Sequence, residues 1–237
     1  LLTGPFAHCG IRWGLTGTVP KADYEFMGLK CSIGEVANRI QASELQDKGV
    51  LANCHVNVIQ TQDHPQFKTY SEELKWLTTD TTRMTWVANT IKDIATSGNT
   101  LILVDRISAG ELLEKKIPGS VFVSGSTKNM ERKEQYDEIS TATNKVIIAT
   151  YGVAAVGINI PRIFNLVLIE PGKSFVRVIQ SIGRGIRKAE DKDSVQIWDI
   201  TSSCKFAKRH LGARKKFYKE ANYPYNIEKI NYENPYT

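Results

Sequence analysis

No uninterrupted apolar run in the sequence approaches the roughly 18 residues that a membrane-spanning helix requires. The amino terminus also lacks the charged, apolar and small-residue series of a signal peptide. These two absences predict a cytoplasmic protein with no membrane partner. Because the first residue is Leu1 rather than methionine, we expect the chain to be a fragment or a processed product.

Metal-binding cysteine and histidine patterns are absent as well. The four cysteines are spread along the chain without Cys-x-x-Cys spacing, and the four histidines form no His-x-x-x-His pattern. Structural zinc is therefore not expected, and the cysteines are interpreted as reduced thiols. They are Cys9, Cys31, Cys54 and Cys204.

A complete nucleotide-binding P-loop is also absent. The segment Pro171-Gly172-Lys173-Ser174 contains Gly-Lys-Ser, but the P-loop pattern requires another glycine five positions before Gly172, where Val167 stands. No Asp-Glu pair follows a predicted strand in the manner of a Mg²⁺-holding carboxylate motif. The Gly-Lys-Ser segment is therefore interpreted as a turn, with Ser174 as the N-cap of the next helix.

The overall composition is that of a soluble globular protein. Of its 237 residues, 41% are hydrophobic and 24% are charged, the mean hydropathy is -0.28, and the formal net charge is +6. One basic segment with interleaved aromatic residues suits phosphate neutralisation with base stacking, but it suits a solvated helix face equally well. Both interpretations stay open. The segment contains Lys205, Phe206, Lys208, Arg209, Arg214, Lys215, Lys216, Phe217, Tyr218 and Lys219.

Short apolar runs alternate with segments of helical period from residue 100 onward, as in parallel βαβ units. Several runs are apolar at consecutive positions, as expected for strands that helices cover on both faces. The predicted fold is an α/β doubly wound parallel sheet with a helical basic tail. The predicted strands are 101–104, 121–123, 146–149, 166–169 and 195–200. The predicted helices are 109–117, with Ser108 as N-cap, 130–141, 174–188 and 202–220.

The part of the chain before residue 100 has mixed periodicity. Residues 84–97 have helical period and lead into the first of these strands, with Gly98 as a stop signal. Residues 55–62 alternate like a strand, whereas 35–48 and 71–79 have helical period. No internal repeat or low-complexity linker is present, so the one boundary that we propose lies near Pro20.

The predicted helix 174–188 contains the segment Gln180-Ser-Ile-Gly183-Arg184-Gly-Ile-Arg187. At about 100° per residue, the apolar side chains form one face, and the two arginines share another face with Gln180 and Gly183. Two guanidinium groups repel each other unless an anion or a carboxylate lies between them, and arginine suits a phosphate better than lysine does. From this helix alone, a phosphate site and salt-bridged surface arginines are equally good interpretations.

This segment resembles the last signature motif of superfamily-two nucleic-acid helicases, in which an arginine finger reaches the γ-phosphate of ATP bound by the partner domain. The resemblance implies a RecA-like second motor domain with Arg187 as the finger and Arg184 as a second phosphate or coupling arginine. Gln180 would orient the nucleotide-facing side, and Gly183 would leave room for close approach. A finger arginine stabilises charge during phosphoryl transfer, an effect of about 10³ to 10⁵ in rate.

Residues 146–161 resemble the preceding motif of that family, a strand that ends in threonine and is followed by a glycine loop. The resemblance implies that Thr150 touches the nucleic-acid backbone and that Gly157 and Asn159 lie near the ATP ribose and the finger helix. Asn159 replaces the usual aspartate, which keeps a hydrogen-bonding group but removes a charge. Plain turn chemistry is the alternative interpretation of the glycines.

Three further segments resemble motifs of the same family. The tripeptide Thr16-Gly17-Thr18 resembles the motif that closes the first motor domain, which implies coupling between the ATP and nucleic-acid sites. Two predicted strand ends resemble intermediate motifs and imply contacts to the nucleic-acid backbone, with ordinary loop capping as the competing interpretation. Their candidate residues are Arg106, Ser108, Ser124, Gly125, Thr127 and Lys128.

The family resemblance divides the chain into three parts. Residues 1–20 correspond to the end of a first motor domain, residues 21–200 to a second RecA-like domain, and residues 201–237 to a basic helical extension. Because the P-loop is absent, we expect an amino-terminal P-loop domain to be the partner that binds most of the ATP and holds Mg²⁺. This chain alone is expected to be inactive, and ATP turnover by the pure chain would contradict that expectation.

Within the family, residues 34–51 and the basic tail resemble phage UvsW-type and XPB-like DNA helicases. This likeness implies an ATP-dependent helicase or translocase that remodels branched or forked DNA and single-strand–duplex junctions in recombination, repair or fork processing. A phage protein of this kind would act in the host cytoplasm. The alternatives are an RNA helicase, the motor of a restriction system, and a non-catalytic nucleic-acid-binding module.

Overall fold

The short apolar runs of the sequence form neighbouring strands of one sheet in the computed structural model of the chain. The structure describes residues 4, 7–15, 23–39, 53–125, 143–155, 163–172 and 194–232. The chain divides into two compact units, residues 1–41 and residues 42–237. The predicted boundary near residue 20 falls outside the described ranges and stays a prediction.

The second unit contains the sheet and the helices that follow its strands, and the first unit contains one described helix. The described helices are α1 (Asp23–Ile33), α2 (Tyr70–Thr79), α3 (Thr81–Ala95), α4 (Ile107–Lys116), α5 (Tyr151–Ala155) and α6 (Lys205–Glu220). The strands are β1 (Asn53–Thr61), β2 (Thr100–Val104), β3 (Val121–Val123), β4 (Val146–Thr150), β5 (Asn165–Ile169), β6 (Ser194–Ser202) and β7 (Tyr225–Ile230).

The strands lie in the order β3-β4-β2-β5-β6-β1-β7, and each described pairing is parallel. Parallel pairing places the carboxyl ends of all strands at one edge of the sheet, so each connection between strands must cross back over a face of the sheet. From β2 the chain moves to one side through β3 and β4, and it then crosses to the other side at β5. The strand order therefore reverses beside β2.

Alternate residues of each strand point to opposite faces, and both faces are buried. On one face, Leu101 and Leu103 of β2 pack in the same cluster as Leu211 and Tyr218 of α6. On the other face, Ile102 and Val104 pack in a cluster with residues of α3 and α4. The predicted doubly wound parallel sheet is therefore confirmed, and the consecutive apolar residues of β2 are explained by its two covered faces.

The helix ends follow local capping. Thr69 and Glu72 form a reciprocal capping box at the start of α2, which confirms the predicted helix at 71–79. Helix α3 begins before the predicted start at residue 84, because the Asp80 carboxylate accepts a hydrogen bond from Arg83 N at 2.9 Å. The helix ends at Ala95 with Thr96 as its C-cap, before the predicted end at residue 97, and Gly98 follows with φ +144°, a conformation that glycine adopts readily.

Several sequence predictions about helices and their caps are wrong or stay predictions. Ser108 is not an N-cap: the cap position is Arg106, and Ser108 lies inside the first turn of α4. Residues 35–39 are not helical, and the rest of the predicted helix at 35–48 lies outside the described residues. The predicted helices at 130–141 and 174–188 also lie outside them, together with Ser174.

The carboxyl-terminal segment is more than a helical tail. The predicted helix at 202–220 is confirmed as α6, but its inner face is buried against the sheet. After it, β7 adds an edge strand that pairs with β1 in the register Val56↔Tyr225 to Thr61↔Ile230. This strand was not predicted, because an edge strand with mostly exposed side chains has no long apolar run.

The approach of α4 to β3 depends on a glycine. A Cβ on Gly110 would lie 2.2 Å from the Phe122 ring, whereas a Cβ on Gly212 of α6 would meet nothing within 4 Å. We predict that Gly110→Ala lowers the free energy of unfolding by about 1–3 kcal/mol, because the ring must move out of its packed position. Chemical denaturation of the chain measures this change.

The matched control is Gly212→Ala, which replaces a helical glycine in open space. It should leave stability unchanged or raise it by up to about 1 kcal/mol, since alanine is the better helix former. Equal stability of the two variants would contradict the packing described for α4 and β3.

Candidate nucleic-acid interface

Three strand ends bring predicted site residues together at the carboxyl edge of the sheet. Val104 at the end of β2 is paired with Thr150 at the end of β4, and Val123 of β3 is paired with Ala149. Ser124 follows Val123 and therefore lies beside Thr150, at the spacing of about 4.8 Å that separates neighbouring strands. Ligands of open α/β sheets bind outside such carboxyl ends, at the point where the strand order reverses.

Thr150 is half-buried at the tip of β4. Its Oγ1 accepts a hydrogen bond from Val153 N at 3.5 Å, so the hydroxyl caps the short helix α5 from the strand end. A hydroxyl fixed in this way has a defined direction, and its O–H can donate to an anionic oxygen. Contact with a nucleic-acid backbone stays a prediction for this residue.

Arg106 follows β2 and is held by the amino-terminal turn of α2. Its Nη2 donates to Ser71 Oγ at 3.0 Å and to Ser71 O at 3.3 Å. Arg106 as a residue is half-buried, and the hydrogen bonds of its guanidinium are exposed. The planar guanidinium carries five N–H donors, so this tether fixes its plane and leaves other donors for a ligand. Ser71 was not singled out from the sequence, since a serine in a helix start usually only caps.

The remaining described candidates differ in their exposure. Ser108 and Gly125 are exposed, whereas Ser124 is buried with 7% of its surface accessible. Ser108 is therefore accessible to a ligand, and Ser124 is placed deeper between the strand ends. The structure thus brings Arg106, Ser108, Ser124, Gly125 and Thr150 to one edge of the sheet.

The other predicted site residues lie outside the described residues. They are Gln180, Gly183, Arg184 and Arg187 of the finger motif, Gly157 and Asn159 of the glycine loop, Thr127 and Lys128, and the tripeptide Thr16, Gly17 and Thr18. Their roles in catalysis, ATP binding, nucleic-acid binding and coupling stay predictions.

A buried ionic cluster that was not predicted lies at the same carboxyl edge. Arg83 of α3 is fully buried, and its guanidinium donates to Glu170 after β5 and to Leu77 O. Its Nε lies 3.5 Å from the Asp63 carboxylate, which follows β1. Thr201 Oγ1 donates to the other oxygen of Glu170 at 3.3 Å. Arg83 therefore ties α3 to the ends of two strands.

Both carboxylate oxygens of Asp63 accept hydrogen bonds. Its Oδ2 accepts hydrogen bonds from Thr61 Oγ1 at 2.5 Å and from Ser202 Oγ at 2.6 Å, and its Oδ1 accepts one from Tyr232 at 2.7 Å. Asp63, His64, Pro65, Trp76 and Tyr232 line an open cleft of about 380 Å³ beside the end of β1. None of the site candidates that the structure describes is among these lining residues.

Glu170 has a strained backbone conformation, and its side chain is buried. Its φ is +44°, and 4% of its surface is accessible. Burial raises the pKa of Glu170 from its ordinary value of 4.5 to about 7, against the opposing effect of Arg83 and Arg214. Glu170 immediately precedes Pro171 and Gly172, so this cluster fixes where the chain leaves β5 toward the predicted finger helix.

Gly172 and Tyr70 approach each other closely at this point. A Cβ on Gly172 would lie 2.9 Å from Tyr70 Oη, so the absence of a side chain there makes room for the phenol. Burial, together with the Asp105 carboxylate, raises the pKa of Tyr70 to about 12. Steric need for close approach therefore explains Gly172, in agreement with the rejection of this segment as a P-loop.

A second buried cluster fixes α6 to β6 on the other face of the sheet. Arg214 Nε and Nη2 donate to the two oxygens of Asp199 at 2.8 and 3.0 Å, and Tyr218 donates to the same carboxylate at 2.7 Å. Arg214 also donates to Pro171 O, which links this cluster to the exit of β5. The sequence hypothesis that Arg214 and Tyr218 neutralise and stack on nucleic acid is therefore wrong, because both are buried.

The cysteines and acidic residues form no metal centre in the described part of the chain. No group of three or more His, Cys, Asp or Glu side chains there is arranged to hold a metal ion. Burial raises the pKa of the Cys204 thiol to about 11, so this thiol is protonated at neutral pH.

Among the helices within these described ranges, none combines the length and apolar character that crossing a membrane requires.

Sequence comparison finds helicases. Residues 82–189 match the helicase conserved C-terminal domain family. The ATP-dependent DNA helicase UvsW of enterobacteria phage T4 is 26% identical to the chain over 221 residues, which cover 89% of the chain and 44% of UvsW. The chain therefore spans less than half the length of this relative.

Structural comparison finds the same fold in helicase and restriction-enzyme chains. The crystal structure of T4 UvsW superposes with a TM-score of 0.65 at 22% identity, covering 76% of this chain and 42% of UvsW. A fragment of a putative HsdR subunit from Vibrio vulnificus superposes with a TM-score of 0.68 at 17% identity, covering 90% of this chain and 43% of the HsdR chain. S. cerevisiae Dbp5 bound to RNA and ADP BeF3 superposes with a TM-score of 0.55 at 18% identity, covering 92% of this chain and 51% of the Dbp5 chain.

The raised pKa of Glu170 predicts a pH-dependent stability. A group whose pKa is higher in the folded state stabilises that state while protonated, so its contribution is complete below pH 4.5 and is lost as the pH rises through about 7. We predict that the melting temperature of the chain, relative to Glu170→Gln, falls between pH 5 and pH 8. Calorimetry across this range measures the difference.

Glu220→Gln is the matched control, because Glu220 is exposed at the end of α6. Its difference from the unmodified chain should not change in the same way. A difference for Glu170→Gln that is constant or increases with pH would contradict the described burial of Glu170.

Proposed function

We propose that the chain is the carboxy-terminal part of an ATP-dependent DNA helicase or translocase. It belongs to the superfamily-two helicases and contains their RecA-like carboxy-terminal motor domain. The substrates that we propose are branched or forked DNA and single-strand–duplex junctions, in recombination, repair or replication-fork processing. An amino-terminal P-loop domain would complete the ATPase site.

One observation carries the nucleic-acid part of this proposal: the strand-end candidates meet at the carboxyl edge beside the reversal of strand order. Thr150 offers a hydroxyl and Arg106 a tethered guanidinium, and both are donors suited to phosphate oxygens. Such contacts fix the position of a strand without reading its sequence, as a translocase requires. The DNA assignment is supported by the likeness to UvsW, a DNA helicase.

The ATP part of the proposal depends on the chemistry of the donors in the finger motif. Arg184 and Arg187 offer permanently charged, planar donors that fit the γ-phosphate side of a nucleotide. The sequence supplies no P-loop to cradle the other phosphates, so these residues fit a nucleotide held by another domain. Bound ATP with Mg²⁺ would supply the phosphoryl group whose transfer drives movement, and Arg187 would stabilise the developing charge.

The ionic cluster around Arg83 has a positioning role in this proposal. Glu170 directly follows β5 and precedes the segment that leads to the finger motif, and its two carboxylate oxygens accept hydrogen bonds from Arg83 and Thr201. A fixed exit from β5 would set where the finger helix starts relative to the strand ends. The nucleic-acid and ATP contacts would then be connected through a rigid sheet edge.

The finger assignment is tested in the full-length protein with Arg187→Ala. We predict that DNA-stimulated ATP turnover falls by about 10³-fold or more, while DNA binding is retained. Arg187→Lys is the matched variant: it keeps the charge but lacks the planar fork, so its turnover should also be strongly reduced. Undiminished turnover of Arg187→Ala would refute the assignment.

The substrate is tested with the same assay. Stimulation of the ATPase by forked DNA above linear duplex and RNA supports the proposed DNA role. Preferential stimulation by RNA would favour an RNA helicase, and preference for linear duplex would favour a restriction-type motor. Binding of nucleic acid without any effect of ATP in the full-length protein would leave only a binding module.

A further inference from the structure

Helix α6 presents a continuous basic face to solvent. At about 100° per residue, its cationic side chains other than Arg214 fall within one sector of the helix, with Gly212 near the centre of that sector. Lys215 is half-buried, and the other members are exposed. The face, called the α6 basic face below, consists of Lys205, Lys208, Arg209, Gly212, Lys215, Lys216 and Lys219.

The opposite side of α6 locks the direction of this face. Leu211 and Tyr218 pack in the core, and Arg214 is 3% exposed in its ion pair with Asp199. At the amino-terminal end, the Glu73 carboxylate accepts hydrogen bonds from Phe206 N at 3.0 Å and Ala207 N at 2.7 Å. The helix therefore cannot rotate to turn its lysines toward another surface.

The charges of the α6 basic face are not neutralised within the described part of the chain, where no carboxylate lies within ion-pair distance of its side chains. Arg209 lies 5.4 Å and Lys205 lies 5.5 Å from the centre of the Phe206 ring, on which both stack as cations. Positive charges concentrated on one rigid helix repel each other and attract a polyanionic partner.

Gly212 allows a partner to come close. A Cβ there would meet nothing within 4 Å, so the centre of the face is a gap between flanking lysines. A polymer backbone can approach the helix at this gap while lysines on either side reach its charges. The flexible ammonium groups suit repeated phosphates as point charges rather than one planar ligand.

The aromatic residues of α6 decide between partners. Tyr218 is buried, and Phe206 and Phe217 are half-buried at the margin, so no exposed aromatic platform lies on the basic face for stacking of single-stranded bases. A membrane-surface helix would turn its apolar side outward, whereas α6 buries its apolar side on the sheet. Phosphates of a duplex fit this face best.

The direction of α6 connects this face to the strand-end candidates. The helix begins directly after the carboxyl end of β6, at the same sheet edge as Thr150 and Arg106, and it runs back over the face of the sheet. Its 16 residues span about 24 Å. This length matches about seven base pairs at 3.4 Å along one strand.

We infer that the α6 basic face is a second nucleic-acid surface, which binds the phosphate backbone of a duplex arm of the substrate without reading its sequence. The inference rests on the proposed function in taking nucleic acid as the partner. It goes further in assigning the duplex arm to α6, apart from the strand-end candidates.

The test uses the 237-residue chain with the double variant Lys208→Glu/Lys216→Glu. Binding to a labelled DNA duplex is measured by fluorescence anisotropy without ATP, between about 50 and 200 mM salt. Affinity for the duplex at the lowest salt should fall by more than about tenfold. The slope of log affinity against log salt concentration is negative, and its magnitude should become smaller by about 2, since each lost phosphate contact removes about 0.9 from that magnitude. Melting curves establish that the variant is folded.

The matched control is Lys92→Glu/Lys115→Glu, which changes net charge by the same amount. Both lysines are exposed on α3 and α4, which cover the opposite face of the sheet. This variant should keep most of the affinity and the salt slope. Equal losses in the two double variants would mean that only net charge attracts DNA, and would overturn the inference.

Two further probes separate the remaining partners. Single-stranded DNA should be less affected than duplex by the α6 changes, and an equal or larger effect would overturn the duplex assignment. Vesicles of anionic phosphatidylserine should not bind; binding that the α6 changes abolish while duplex binding survives would assign the face to a membrane instead. Because ATP is omitted, these outcomes are independent of the test of Arg187.

Discussion

The burial of Arg83 is the constraint on which the carboxyl edge of the sheet depends. Its guanidinium joins α3 to Glu170 at the end of β5 and to Asp63 at the end of β1. A buried charge without its partner typically costs 3–5 kcal/mol, so this cluster holds only when all its elements are in place. The positions of the strand ends, and of any ligand at that edge, are therefore coupled to one ionic interaction.

The Arg214–Asp199 pair is a buried ionic interaction of the same kind on the other face of the sheet. It fastens α6 to β6, and through Pro171 O it also touches the exit of β5 where Glu170 lies. One arginine on each face of the sheet thus converges on the same turn. This arrangement separates two roles within the basic segment: the buried Arg214 is structural, and the outward lysines remain for a polyanion.

The strands of the central sheet were predictable because their residues are apolar at consecutive positions, a pattern that two covered faces impose. The strand-end candidates followed from the same strands, and Arg106, Ser124 and Thr150 do share one edge. The burial of Arg214 was not predictable, since the same basic segment contains an exposed arginine, Arg209. Only the position of Arg83 inside an apolar helical stripe, between Asp80 and Met84, gave a signal.

Protection of backbone amides on DNA binding tests most directly whether the carboxyl edge is the nucleic-acid site. Hydrogen exchange of the chain is compared with and without forked DNA. Exchange should slow at residues 105–108, 124–125 and 150–153, where the strand-end candidates lie, and should not change along α3 on the far side of the core. DNA binding without added protection at these three segments would contradict the assignment of the edge.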